Sequence, residues 1–135
     1  MQLYSLLAYV LPLLPEDKPN HILGIADPES VLRNVPHGAD TFDSCFPTRV
    51  ARHGTLLTSE GSLHIGQGKY RTQHVPIDPA LGAGGGMECD CTRAYMHHLY
   101  KQKEPLFETL ASMHNIRHMC NLMADIRARI LADDL

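Results

Sequence analysis

The segment GADTFDSCFPTRVARHG, residues 38–54, places two carboxylates directly before a pair of arginines. Asp40 and Asp43 lie on either side of Phe42, and Arg49 and Arg52 follow a few residues later. A carboxylate can be a nucleophile, a general base, a metal ligand or a capping residue, and two aspartates alone do not decide among these roles. Arginines at this spacing can bind phosphates bidentately and stack on bases, and a solvated surface remains the alternative explanation.

A second group of candidate residues consists of two cysteines and a histidine. Cys89 and Cys91 form a C-x-C pair, and His114 follows on a predicted helix. Thiolate and imidazole are typical zinc ligands, but a structural zinc site takes four of them. Candidates for a fourth ligand are Glu88, Asp90, His97, His98 and Cys120. Cysteines that bind no metal, with His114 at the edge of a buried stripe, are an equally good interpretation.

The composition favours one soluble domain with a core, because 44% of the 135 residues are hydrophobic and 20% are charged. Residues 44–75 form a basic stretch within an acidic chain, which indicates either an anionic partner or an ordinary solvated surface. In this stretch Tyr70 is the candidate for stacking on a base. The four cysteines are too few and too unevenly spaced for a disulfide framework, which predicts a reducing, cytoplasmic environment.

The apolar start, MQLYSLLAYVLPLL, raises the question of a signal peptide or a membrane span. It has no basic region before the apolar run and no small-x-small cleavage site, and it is too short to cross a bilayer. Its leucines and valine recur at three- and four-residue steps. We therefore expect an amphipathic helix that faces a core, and no membrane partner.

The elements that must position the two aspartates read as a strand, a helix and a second strand. HILGIA, residues 21–26, predicts a strand, and DPESVLRNV predicts a helix with Asp27 as its N-cap and Pro28 at its first position. ADTFDSCF predicts a second buried strand that ends at Pro47. This order is typical of a βαβ unit with parallel strands, in which functional side chains lie at the carboxyl ends of the strands. Two strands alone would leave open edges, so we expect the sheet to be incomplete.

The remainder of the chain predicts a hairpin, a linker and helices. TLLTSEGSLHIG indicates a hairpin that turns at Glu60 and Gly61, and PALGAGGGM indicates a flexible linker. From Thr92 onward the pattern is helical, with a long amphipathic helix that begins near Pro105. The apolar positions expected on its buried face are Leu106, Leu110, Met113, Ile116, Cys120, Met123, Ile126 and Ile130.

Several of these stretches, taken in order, resemble one known family. PLLPEDKP, HILGIADPES, DTFDSCFPTRVARHG, IDP, CDC, RAYMHHL and MHNIRHM resemble motifs of bacterial tRNA-guanine transglycosylase, also called queuine tRNA-ribosyltransferase. The resemblance covers the whole chain but only the C-terminal part of the family's usual length. It implies an α/β fold, the C-terminal part of a TIM (β/α)8 barrel. Residues 1–54 would be its last βα units with the last two strands, 55–88 a hairpin and a Gly-rich loop, and 89–135 a helical zinc-binding subdomain.

The resemblance also implies an activity, the exchange of guanine at the wobble position of tRNA with a GUN anticodon for preQ1 or queuine. Asp43, the second aspartate of D-x-F-D, would be the nucleophile that forms a covalent ribosyl intermediate. The segments that would contact RNA are Gly24, Ile25, Ala26, Asp27, Pro28, Glu29 and Ser30, together with Thr48, Arg49, Val50, Ala51 and Arg52.

The resemblance implies zinc bound by Cys89, Cys91 and His114, with two departures from the family pattern. The third cysteine of the family's C-x-C-x-x-C has no counterpart, and residues 80–87 are additional. We expect zinc binding to be weaker, completed by another ligand, or lost. The family's second catalytic aspartate and most of its guanine pocket lie upstream of the matched region. We therefore expect a homodimer or an N-terminal partner segment, and the alternative is a non-catalytic, zinc-stabilised tRNA-binding or partner-subunit module.

Overall fold

The structure of the chain, a computed structural model, describes residues 3–81 and 90–134. The helices are α1 (Leu3–Val10), α2 (Pro28–Asn34), α3 (Phe46–Arg52), α4 (Arg93–Gln102) and α5 (Pro105–Leu131). The strands are β1 (His21–Leu23), β2 (Thr41–Asp43), β3 (Thr55–Thr58) and β4 (Gly61–His64). The chain divides into two compact units, one of residues 1–46 and 122–135 and the other of residues 47–121.

The first unit contains the predicted βαβ arrangement. β1 and β2 pair in parallel, with Ile22 opposite Phe42, and α2 connects them. The predicted N-cap is confirmed, since the Asp27 carboxylate accepts a hydrogen bond of 2.9 Å from the Ser30 amide. Pro28 follows at the start of the helix, where a missing N–H costs nothing.

The second strand differs from the prediction in burial and in length. The residues of β2 are exposed or half-buried, because only β1 pairs with it among the described residues. The strand ends at Asp43, and Pro47 lies inside α3 rather than terminating the strand. Pro47 is tolerated there because the first helical turn has no internal partner for its amides.

The N-terminal helix is confirmed as a helix, but its packing is slighter than predicted. No residue of α1 is buried, and Leu7 alone of that helix packs, half-buried, against the small cluster of Leu11, Ile22 and Ala39. So small a cluster offers little apolar surface for a helix face to cover.

The described residues form two separate two-stranded sheets and no closed barrel. Among them, no helix combines the length with the apolar character that crossing a membrane requires.

The second unit has the larger core, and it is built around the predicted hairpin. β3 and β4 pair antiparallel, with Leu56 opposite Leu63, and they turn at Glu60 and Gly61 as expected. Helices α4 and α5 contribute apolar side chains to the same cluster. Its buried members are Ala51, Leu56, Leu63, Ile65, Tyr70, Ile77, Cys91, Met96, Leu99, Phe107, Leu110 and Ala111. Because Tyr70 is 5% exposed, the suggestion that it stacks on a base is wrong.

The long helix α5 is confirmed, but its buried face is not the one that the apolar spacing predicts. Leu110 and Ile126 are buried, whereas Leu106, Met113, Ile116 and Ile130 are 44–49% exposed, and Cys120 is exposed too. The buried positions on the helix instead include Phe107, Ala111, His114 and Asn115. Two of these are polar residues that bond to backbone of the hairpin, which a search for apolar periodicity does not detect.

Of the predicted linker, Pro79–Leu81 form a short 3-10 turn. The rest of it, within residues 82–89, lies outside the described residues, as do Glu88 and Cys89.

Candidate active site

Asp43 is the last residue of β2, at the carboxyl end of the parallel pair, and it is exposed. Its Oδ1 accepts a hydrogen bond of 2.9 Å from the backbone amide of Gly24, the residue that follows β1. Gly24 has φ of +75°, a backbone conformation that glycine adopts without strain. The two strand ends therefore meet at one edge, and an amide there orients the carboxylate.

His21 is a neighbour of Asp43 that the sequence analysis missed. Its Nε2 lies 3.8 Å from Asp43 Oδ1, and its Nδ1 lies 2.7 Å from Thr41 Oγ1. The register explains this arrangement, since His21 is paired with Thr41 and Leu23 with Asp43. Alternate residues of a strand share a face. The sequence could therefore have identified His21 as a neighbour of Asp43, because it lies two positions before the end of the first strand.

Ser44 joins the loops that follow the two strands. Its hydroxyl donates to the Gly24 carbonyl at 3.3 Å and accepts from the Phe46 amide at 3.1 Å. A hydroxyl is both donor and acceptor, so one side chain holds the end of β1 and the start of α3. This residue, too, was absent from the candidates.

Asp40, the other aspartate of the opening segment, has a structural part in the fold. Its Oδ2 accepts a hydrogen bond of 2.7 Å from the Asn20 amide, before the first residue of β2. It therefore lies at the end of the strand opposite to Asp43. The direction of β2 thus places Asp43, and not Asp40, at the carboxyl end of the parallel pair.

The polar side chains of the segment from Gly24 to Ser30 form hydrogen bonds and an ion pair with residues of the same segment or of α2. The Asp27 carboxylate accepts bonds from both the amide and the hydroxyl of Ser30, which is 2% exposed. Glu29 is exposed and pairs with Arg33 at 2.6 Å, one helical turn later. Ile25, Ala26 and Pro28 are half-buried. Within this segment, the exposed residues are therefore Gly24 and Glu29.

The predicted basic pair lies on α3. Arg49 and Arg52, three residues apart, are both exposed, and neighbouring positions on a helix at this spacing share a face. Ala51 is fully buried in the core, and Thr48 and Val50 are half-buried. The helix thus anchors itself through Ala51 and presents both guanidinium groups to solvent.

Two of the three predicted metal ligands are described, and both are buried. Cys91 is 8% exposed and His114 is 1% exposed. His114 Nε2 lies 2.7 Å from the carbonyl oxygen of Leu57, and because a carbonyl only accepts, Nε2 must carry the proton. In that tautomer Nδ1 carries the lone pair, which is the arrangement that orients a zinc-binding histidine. The Cys91 thiol and the His114 imidazole are therefore ligands of the types that zinc prefers.

The described residues do not provide a complete ligand set, since no group of three His, Cys, Asp or Glu among them could hold a metal ion. Of the suggested fourth ligands, His97 donates from Nδ1 to the Ile65 carbonyl at 2.7 Å. Asp90, His98 and Cys120 are exposed.

A polar cluster that the sequence analysis missed surrounds Asp78. Its carboxylate accepts from the Ser59 amide at 2.6 Å, the Ser59 hydroxyl at 2.8 Å and the Ala80 amide at 3.1 Å. Burial would raise the pKa of Asp78, but the hydrogen bonds from Ser59 and Ala80 lower it overall. Burial lowers the pKa of His118 against the opposing effect of the Asp78 carboxylate. The cluster therefore combines an ionised carboxylate with a neutral imidazole at neutral pH.

Comparison with known proteins gives one consistent result. The family model described as Queuine tRNA-ribosyltransferase matches residues 1–135. A protein of that name from Protochlamydia amoebophila is 46% identical over 136 residues, which cover 98% of this chain and 34% of the relative. Proteins of the same name from Acetivibrio thermocellus and Lactococcus lactis are 40% and 39% identical, and the chain covers 35% of each. The chain therefore spans about a third of the length of the curated relatives that it matches.

Proposed function

The chain belongs to the queuine tRNA-ribosyltransferase family, and we propose that it is the nucleophile-bearing part of a tRNA-guanine transglycosylase. The reaction exchanges guanine at the wobble position of tRNA with a GUN anticodon for preQ1 or queuine, in the cytoplasm. The observation that carries the proposal is the setting of Asp43, an exposed carboxylate at the carboxyl end of a parallel strand with one oxygen held by the Gly24 amide.

In the proposed mechanism Asp43 attacks the anomeric carbon of the ribose. A bond forms between a carboxylate oxygen and C1′ while the bond from C1′ to the guanine nitrogen breaks, and the electron pair leaves with guanine. The incoming base then displaces the carboxylate and regenerates the enzyme. As in retaining glycosidases, a carboxylate divides one difficult displacement into two easier ones. The Gly24 amide fixes Oδ1, so that the carboxylate is oriented before substrate binds.

The target base must be unstacked from the anticodon loop before the carboxylate can reach its sugar. Arg49 and Arg52 have the chemistry for holding the loop in that state, because guanidinium groups bind phosphates bidentately. Both are exposed on α3, which begins a few residues after Asp43 along the chain. We propose that the segment from Gly24 to Ser30 also contacts RNA, chiefly through its exposed residues Gly24 and Glu29.

Zinc, in this proposal, is held by Cys89, Cys91 and His114. Its contribution would be structural, since ligation by both residues would tie Cys91, just before α4, to His114 on α5. Burial of Cys91 and the tautomer of His114 support the assignment. The sequence has no counterpart of the family's third cysteine, so we expect a weaker site than a complete four-ligand set would form.

A non-catalytic, zinc-stabilised tRNA-binding or partner-subunit module is the second candidate. The observation that favours it is the sheet of the first unit, in which β1 and β2 pair only with each other among the described residues. A parallel sheet is ordinarily covered on both faces and has more strands. A homodimer or an N-terminal partner segment would be needed to complete it for catalysis.

The decisive experiment is exchange of labelled guanine into tRNA with a GUN anticodon, using this chain, with and without a polypeptide that supplies the remainder of the relatives' length. Asp43→Ala is the comparison. We expect exchange that requires Asp43, together with a covalent protein–RNA adduct on denaturing gels.

Because Asp43 is exposed, we expect Asp43→Ala to change the free energy of unfolding by less than about 1 kcal/mol, so that lost exchange reports chemistry. Exchange that persists in Asp43→Ala would exclude this nucleophile. No exchange under either condition, with tRNA binding retained, would leave the non-catalytic module as the function.

A further inference from the structure

One face of the parallel pair β1 and β2 carries the polar side chains that surround the proposed nucleophile. His21 is paired with Thr41, two positions before the pair that contains Asp43. Ile22 and Phe42 lie on the other face and pack in the small apolar cluster. The side chains of His21 and Asp43 are 43% and 63% exposed, so a substrate that reaches the carboxylate also reaches the imidazole.

The two oxygens of the Asp43 carboxylate differ in their surroundings. Oδ1 accepts the 2.9 Å hydrogen bond from the Gly24 amide and also lies 3.8 Å from His21 Nε2. A separation of 3.8 Å is too long for a hydrogen bond, but contacts of this kind at reacting groups commonly tighten when substrate binds. Within residues 3–81 and 90–134, no group forms a hydrogen bond with Oδ2. The donors therefore hold Oδ1 and leave Oδ2 open to reaction.

The contact between His21 and Thr41 controls which nitrogen of the imidazole carries the proton. Nδ1 lies 2.7 Å from Thr41 Oγ1, and a hydroxyl can either donate or accept. If Nδ1 carried the proton, the lone pair of Nε2 would face the negative Oδ1 of Asp43, which is repulsive. When the hydroxyl donates to Nδ1 instead, the proton lies on Nε2 and faces Oδ1, which is attractive. The hydroxyl and the carboxylate together therefore favour the Nε2–H tautomer.

A donor on Oδ1 has its largest effect when charge returns to the carboxylate of Asp43. In the first step Oδ2 bonds to C1′, and guanine leaves with the electron pair of its own bond to C1′ and takes a proton from water. Oδ1 then becomes a neutral ester carbonyl. In the second step a ring nitrogen of the incoming base bonds to C1′ and loses its proton to water, while the electron pair of the C1′–Oδ2 bond returns to the carboxylate. Hydrogen bonds to charged acceptors are about twice as strong as those to neutral ones, so an N–H on Oδ1 favours the second step.

From these contacts we infer that His21 is a positioning residue of the exchange reaction, which donates from Nε2 to Oδ1 of Asp43 and assists release of the ribosyl group. Thr41 fixes the tautomer that makes this possible, and the Gly24 amide is the second donor on the same oxygen. The inference rests on the proposed function, since it concerns the same carboxylate. It goes further because it assigns Oδ2 as the atom that bonds to C1′ and assigns His21 to the second step.

Two amide variants of His21 separate this role from that of a cross-strand pair that only stabilises the sheet. The amide nitrogen in His21→Gln reaches the position of Nε2 and keeps a donor for Asp43, whereas the shorter side chain in His21→Asn keeps only the contact with Thr41. We expect breakdown of the covalent protein–RNA adduct by added guanine to be at least about tenfold slower in His21→Asn, because a hydrogen bond to a charged group is lost. In His21→Gln the breakdown rate should stay within about threefold of wild type, because the donor is retained.

Formation of the adduct from tRNA should not be slower in either variant, so His21→Asn should accumulate adduct. The assay uses the chain with and without the polypeptide that supplies the remainder of the relatives' length, as for guanine exchange. His37→Asn makes the same substitution at an exposed histidine of the same unit, away from the carboxylate. It is the matched control and should change neither rate.

The tautomer can be measured without any activity, from nitrogen-15 spectra of the imidazole rings in the whole chain at about pH 8.5, where a free imidazole is neutral. The chain has nine histidines, so the His21 signals are identified by their loss in His21→Asn. We expect a proton on Nε2 and none on Nδ1. Thr41→Val keeps the shape of the side chain but removes the hydroxyl, so both tautomers should be populated in that variant.

The outcomes separate this inference from the proposed function. If Nδ1 carries the proton, or if His21→Gln slows adduct breakdown as much as His21→Asn, the inference is overturned, while guanine exchange by wild type keeps the proposed function. If His21→Asn slows formation and breakdown equally, its effect is on the fold and the inference is again overturned. If wild type forms no adduct under either condition, the proposed function fails and the inference fails with it. A proton on Nε2, together with a defect confined to adduct breakdown in His21→Asn, would support the inference.

Discussion

Two residues of the same type, Asp40 and Asp43, have different parts in this molecule because of where they lie on one short strand. Asp40 lies just before the strand and accepts a hydrogen bond from the Asn20 amide. Asp43 lies at the end of the strand and accepts one from the Gly24 amide, which orients its carboxylate. A carboxylate acts as a nucleophile only where a substrate can approach it, and exposure at the carboxyl end of a parallel strand meets that condition.

Asp78 illustrates a carboxylate whose part is structural, and its low pKa allows a specific prediction. Its folded-state pKa lies below that of the unfolded chain, so its contribution to stability is complete above the unfolded pKa and is lost as the pH falls through the folded pKa. Asp78→Asn should lower the free energy of unfolding by about 2 kcal/mol at neutral pH. It replaces one of the two accepting oxygens by an amide nitrogen, which cannot accept a hydrogen bond, and it removes the charge that these donors stabilise.

Urea denaturation of wild type and Asp78→Asn over a pH series measures this effect. The difference between the two should shrink as the pH falls below about 4, where the protonated acid resembles the amide. Asp125→Asn, at an exposed position of α5, provides the control and should be nearly neutral throughout. If the difference in the free energy of unfolding between wild type and Asp78→Asn does not change with pH, the hydrogen bonds from Ser59 and Ala80 do not stabilise the charge of Asp78.

At the scale of elements, the union of α5 with the hairpin depends on two consecutive polar residues. His114 donates to the Leu57 carbonyl, and Asn115 accepts from the Leu57 amide at 2.9 Å. Asn115 also donates to the carbonyls of Pro47 and Thr55, each at 3.0 Å. Both backbone groups of one β3 residue are thus satisfied by a helix, which covers an otherwise open strand edge.

Substitution of Asn115 by aspartate tests this clamp. The carboxylate keeps the acceptor for the Leu57 amide but loses both donors and buries a charge beside two carbonyl oxygens. We expect a loss of about 3–5 kcal/mol in the free energy of unfolding, measured by chemical denaturation. Asn121→Asp makes the same chemical change at an exposed position of the same helix and should alter stability by less than about 0.5 kcal/mol. Similar losses in both variants would mean that the added charge, not the clamp, is responsible.

At the scale of the whole molecule, the two compact units differ in how much apolar surface they bury. Among the described residues, the cluster of the first unit has three buried members, Leu11, Ile22 and Ala39, whereas that of the second unit has twelve. Local opening needs less free energy where fewer apolar contacts are lost. The first unit should therefore open more readily than the second.

Hydrogen exchange tests this difference directly. The amides of the paired residues Ile22 and Phe42 in β1 and β2 should exchange at least about a hundredfold faster than those of Leu56 and Leu63 in β3 and β4. The measurement should be repeated at two protein concentrations. If the amides of β1 and β2 were as well protected as those of β3 and β4 at both concentrations, the prediction would be wrong. Protection of the first unit that disappears on dilution would show that a second copy covers its open sheet, as the proposed homodimer requires.

Features set by neighbours along the chain could be read from the sequence. The order of β1, α2 and β2, the Asp27 cap, the hairpin at Glu60 and Gly61 and the existence of α5 all depend on residues within a few positions of one another. Backbone conformation and local hydrogen bonds decide such features. The resemblance to the family also follows from the sequence, because it rests on the order of its motifs.

Tertiary structure alone decided which faces and which side chains meet. The bond from Asn115 to Leu57 joins residues 58 positions apart, and the bond from Gly24 to Asp43 joins residues 19 apart. Apolar periodicity placed Met113 and Ile116 in the core, whereas the structure buries His114 and Asn115, because the hairpin offers backbone groups that only polar side chains satisfy.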